Sequence, residues 1–116
     1  MGIEEKFNAA VEEWKEHSWK MINSSSYAVG MNCDAYRQIV SFGHESLPLI
    51  RKLYDEDDRN DFALVMVKAR LVDAVAEIIG EDFQTPYRIC GNGKAMKEYT
   101  RKWLDENMHK YVPTRT

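Results

Sequence analysis

Apolar residues near the N-terminus recur at three- and four-residue spacings: Ile3, Phe7, Ala10, Val11, Trp14 and Met21. That is the period of a helix with one buried face. Glu5, Glu12, Glu13 and Glu16 take the other face, and acids in a first turn suit the positive end of the helix dipole. The spacing predicts a helix over 3–22 with Trp14 in the core. Asn23-Ser24-Ser25-Ser26 ends it, because small polar side chains compete with the backbone ladder. A loop follows through Gly30 to Cys33. Asp34 then suits the N-cap of a short helix carrying Ala35, Tyr36, Ile39, Val40 and Phe42, with Gly43 at its C′ position.

A second short helix is expected from Glu45 or Ser46 to Tyr54. Pro48 would break a helix interior but is tolerated in a first turn. Helix, glycine turn and proline-started helix make a hairpin whose texture is similar to a HEAT-type repeat, with no second copy at a fixed period. Asp55-Glu56-Asp57-Asp58-Arg59-Asn60-Asp61 reads as an acidic, solvated connector. Helix resumes near Asn60 or Asp61. Phe62, Leu64, Val65, Val67, Leu71, Val72, Val75, Ile78 and Ile79 make it apolar over much of its circumference, the mark of a central helix. Lys68, Arg70, Asp73 and Glu77 are assigned to its wet side, and Gly80 stops it. Turn signals fill 80–93. The last helix spans about 94–109, with Met96, Tyr99, Thr100, Trp103 and Asn107 as its inner stripe and Leu104 beside it. From Pro113 the chain reads as a polar, flexible tail (113–116). No segment alternates as a strand would, so residues 1–112 are expected to form one all-α domain of about five helices.

At 116 residues, 44% hydrophobic and 11% aromatic, the chain can bury a core and does not have the composition of a disordered segment. Two cysteines are too few for a disulfide scaffold, and no apolar run reaches the ~18 residues of a membrane span. The N-terminus is acidic where a secretory leader is basic, so a cytoplasmic protein with reduced Cys33 and Cys90 is expected. The net charge of −3 resolves into −4 over residues 1–60 and +1 over 61–116. That balance argues against a general nucleic-acid binder.

Several chemistries fail on spacing. The acidic run resembles the start of a calcium loop, but counting from Asp55 the required Gly and Glu fall on Asn60 and Met66. Gly91-Asn92-Gly93-Lys94 precedes a helix, yet one residue separates the glycines and Ala95 follows the lysine, which is not a phosphate-binding P-loop. His17, His44, His109, Cys33 and Cys90 include no pair at metal-ligand spacing. No motif supports a nucleophile–histidine site. No metal, cofactor or catalytic residue is therefore assigned, and no catalysis is expected.

Phe7, Val11 and Trp14-Lys15, then Ser24-Ser25, then Ala35-Tyr36-Arg37-Gln38-Ile39-Val40 with Gly43, form a series. It continues through Leu47-Pro48-Leu49-Ile50, Ile79-Gly80-Glu81, and Met96 with Trp103-Leu104. This series resembles a family of small, uncharacterised bacterial and mobile-element proteins over most of residues 7–104. Two stretches depart from the family pattern. Cys33-Asp34 stands where the family has His-Pro, and 57–78 is longer and lacks its Trp-rich helix. The resemblance implies a helical fold and brings no activity.

Aromatic and methionine side chains outside the core stripes are typical of interfaces; here they are Trp19, Tyr27, Met31, Tyr87 and Met108. The expected function is a small non-catalytic protein-binding regulator or inhibitor, of the antitoxin-like or phage-inhibitor type. Its contact residues are Trp19, Tyr27, Met31 and Tyr87, with a basic stripe of Lys94, Lys97, Arg101 and Lys102. The alternative is a nucleic-acid-binding regulator using that stripe on phosphates.

Overall fold

The computed structural model describes residues 2–20 and 33–112. Tyr27, Met31, the Ser-rich turn and the 113–116 tail lie outside the described residues. Five α-helices follow in order: α1 (Ile3–Lys20), α2 (Asp34–Ser41), α3 (Ser46–Tyr54), α4 (Phe62–Ile79) and α5 (Gly93–Asn107). Short 3₁₀ turns stand at Gly43–Glu45, Gly80–Asp82, Tyr87–Ile89 and Met108–Lys110, and there is no strand among the described residues. The fold is all-α.

The helix starts and stops have local causes. Asp61 caps α4, its side chain accepting from Leu64 N at 3.1 Å, and Asn92 caps α5 through Ala95 N at 3.1 Å. Each cap satisfies one of the backbone donors left free by a first turn. Gly43 and Gly80 have φ of +67° and +84°, a region that other residues enter only at a steric cost. The sharp α2–α3 and α4–80s turns depend on them. Asp34 is not the N-cap of α2. Cys33 holds that position without a side-chain bond, and Asp34 sits one residue inside, pairing with Arg37 at 2.9 Å. Within the first turn its charge still meets the positive end of the dipole.

α4 is the centre, packing against each of the other four helices. Leu64, Val67, Leu71, Val72, Ala74 and Val75 supply its buried positions. α1 lays Phe7, Ala10, Val11, Trp14 and Ser18 on the shared core. Trp14 is fully buried and meets Tyr36 of α2 edge-on, ring centroids 5.3 Å apart. α3 contributes Leu47, Ile50 and Leu53. The α2–α3 corner is pinned where buried Ser46 donates to Ile39 O at 2.8 Å. α5 packs on α4 and α3, burying Thr100 and Leu104. Met96, Tyr99 and Trp103 of the expected stripe are half-buried against the core.

Lys68 belongs to the core rather than the wet side of α4. Its side chain is 4% exposed, and its ammonium reaches the end of α3. There Nζ donates to Tyr54 O at 3.3 Å and to Glu56 O, and pairs with Asp58 Oδ2 at 3.2 Å. The last carbonyls of a helix have no partner within it and carry the negative end of the dipole. A lysine can bury its stem and still deliver its charge there.

Candidate partner-binding surfaces

The acidic connector is organised by ion pairs. Asp55 meets both Arg51 at 2.8 Å and Arg101 at 3.3 Å. Asp57 pairs with Arg59 at 2.7 Å, Asp58 with Lys68, and Asp61 with Lys15 at 2.6 Å. Hydrogen bonds from Lys15 and Leu64 N hold the Asp61 carboxyl below the usual carboxylate range, and the bond from Arg59 does the same for Asp57. Both shifts follow from donors that bond more strongly to the charged carboxylate than to the neutral acid. No group of three or more His, Cys, Asp or Glu among the described residues is arranged to hold a metal ion.

Trp19 and Phe62 are exposed by 56% and 55%, and their rings meet edge-on at 6.3 Å. Val65, one turn along α4, is 40% exposed. Together they form an apolar surface where the end of α1 passes the start of α4. Phe62 and Val65 thus leave the core set expected for α4. The phase of that helix explains why. Leu64, Val67, Leu71, Val72 and Val75 share one stripe at 3.6-residue spacing; Phe62 falls off it, and Val65 stands at its edge, two turns before Val72. Glu12 and Glu16 lie on the same face of α1 as Trp19 and are exposed, as is Glu13. Lys15 and Lys20 partly compensate Glu12 and Glu16, at 3.5 and 3.4 Å. The surface is therefore aromatic at its centre and acidic on balance around it.

Tyr87 is 94% exposed and lies on the 3₁₀ turn Tyr87–Ile89. Met108 is half-buried and packs against the core. The basic stripe is partly neutralised: Arg101 pairs with Asp55 and Lys102 with Glu106 at 3.9 Å. Lys94 is exposed and Lys97 half-buried, and neither pairs with a described acid. Both cysteines are free thiols, Cys33 half-buried and Cys90 exposed. No helix among the described residues is long and apolar enough to cross a membrane.

Comparison with known protein families, with curated proteins and with solved structures finds no match.

Proposed function

We propose that the protein is a small protein-binding regulator that meets its partner through Trp19, Phe62 and Val65. The observation that carries this reading is the Trp19–Phe62 ring pair: two large aromatics more than half exposed and in contact, from different helices. Aromatic anchors of this kind supply most of the free energy of many interfaces, and a polar rim excludes water around them. The acidic surroundings favour a partner surface that is basic around an apolar centre, because complementary charge steers encounter and excludes wrong partners. Pairing of Arg101 with Asp55 interrupts the basic stripe and weakens the case for a run of nucleic-acid phosphate contacts along α5.

The test places a photo-crosslinking residue at position 62 in the source cell and identifies what is captured. The purified partner is then titrated by calorimetry against the parent protein, Trp19→Ala and the surface control Lys94→Ala. Trp19→Ala is expected to weaken binding at least about tenfold, with Lys94→Ala near the parent. Equal affinity for all three proteins overturns the assignment of this surface.

A further inference from the structure

Between the Tyr87–Ile89 turn and α5 lies a cleft of about 310 Å³, lined by Arg88, Tyr99, Lys102, Trp103 and Glu106. That volume is at the lower end of small-molecule sites, roughly 300–1,000 Å³. Tyr99 and Trp103 stand one helical turn apart on α5, so their rings share a wall. Both rings are held in place. The Tyr99 hydroxyl donates to Gln84 O at 2.9 Å. Trp103 meets buried Phe83 edge-on at 5.0 Å and Tyr111 at 6.0 Å. A wall whose rotamers are already fixed loses little entropy when a ligand arrives.

The charges in the cleft do not balance. Arg88 makes no ion pair with a described residue. Lys102 has Glu106 as its ion-pair partner, at the loose distance of 3.9 Å. Two cations face one carboxylate, beside two aromatic rings. We propose that this cleft binds a small planar aromatic anion, its ring against Trp103 and Tyr99 and its phosphate or carboxylate on Arg88 and Lys102. Ring stacking on aromatic side chains and charge-assisted hydrogen bonds to guanidinium and ammonium supply the two halves of recognition. Glu106 is placed to accept from an N–H on the ring. The site is independent of the Trp19–Phe62 surface, and neither assignment rests on the other.

The test is an NMR titration of the full chain, at fixed ionic strength, with adenosine monophosphate, indole-3-carboxylate, adenosine and inorganic phosphate. The first two differ in headgroup and distinguish a nucleotide from an aromatic carboxylate. The last two each lack one half of the proposed ligand. At least one of the first pair is expected to saturate shifts at Arg88, Tyr99 and the Trp103 indole below about 1 mM, a modest affinity. Adenosine and inorganic phosphate are expected to bind at least about tenfold more weakly, as is the tighter ligand to Arg88→Gln, the equivalent of losing one good contact. Arg88 is exposed, so the variant should melt as the parent does, which a melting curve checks. Any of three results overturns the proposal: no saturable shift with either aromatic anion, phosphate or adenosine binding as tightly as the whole ligand, or full affinity in Arg88→Gln.

Discussion

α1 and α5 lie against the same central helix but are attached to it differently. α1 places four apolar side chains in the core and closes on Tyr36 through a fully buried tryptophan. α5, nearly as long, buries only Thr100 and Leu104. The rest of its attachment is aromatic edges and charge: Trp103 and Tyr99 around Phe83, Asp105 accepting two bonds from Arg51 at 2.6 and 3.2 Å, and Arg101 on Asp55. Burial of apolar area is not subject to charge screening, whereas exposed ion pairs are weakened by it. α1 is therefore a structural element with an exposed aromatic at its end, and α5 a more loosely seated helix that keeps its polar outer face open to ligands.

Substitutions at three positions probe this contrast, in descending size. Trp14→Ala should cost about 3–5 kcal/mol, the range for removing a large aromatic from a packed core, read as the shift in urea midpoint. A loss below 1 kcal/mol would mean that α1 is not seated on this residue. Lys68→Ala should cost about 2–3 kcal/mol, because it strands the Tyr54 and Glu56 carbonyls and leaves Asp58 without its cation. Lys68→Met keeps the apolar stem and should recover part of that loss. Equal destabilisation by both would show that the ammonium, and not the packing of the stem, carries the whole effect. Arg51→Gln should cost only about 1 kcal/mol, less in high salt, and should speed hydrogen exchange in α5 while leaving α1 unchanged.

The same pair gives a pH signature. The Arg51 guanidinium bonded to Asp105 holds that carboxyl below its ordinary value of 3.8. A carboxylate depressed in the folded state stabilises it fully above the unfolded pKa and loses that contribution as pH falls through the folded value. Protection of α5 should therefore drop below about pH 4 in the parent, and Arg51→Gln should lack that step. Lys15–Asp61 titrates in the same range, but the core beneath α1 keeps that helix in place.

Much of the fold was legible because its punctuation is local. Gly43 and Gly80 mark turns that need left-handed backbone, and Pro48 falls in a first turn as its missing donor requires. The end of α5 was less clear, since the chain tightens into a 3₁₀ turn at Met108–Lys110. What escaped the sequence depends on neighbours. Lys68 reads as a surface lysine until α3 is placed with its carbonyl end against it. The acids of 55–61 read as a solvated run until Arg51, Arg101, Lys15 and Lys68 converge on them from four helices. Phe62 and Val65 were hidden by the excess of apolar residues in α4: the phase of the buried stripe separates Phe62, and Val65 stands at the edge of that stripe where only the neighbouring helices decide its exposure. Of the candidate contact residues, the structure joins Trp19 to Phe62, which had been assigned to the core. It joins Lys102 to a cleft whose other walls had drawn no functional reading.

The most direct measurement is the affinity of the cross-linked partner for a Trp19→Ala/Phe62→Ser double variant, with melting curves of both proteins alongside. Binding reduced by about a hundredfold at an unchanged melting temperature is the predicted result. Retained affinity in a folded double variant would contradict the claim that this aromatic pair is where the protein meets its partner.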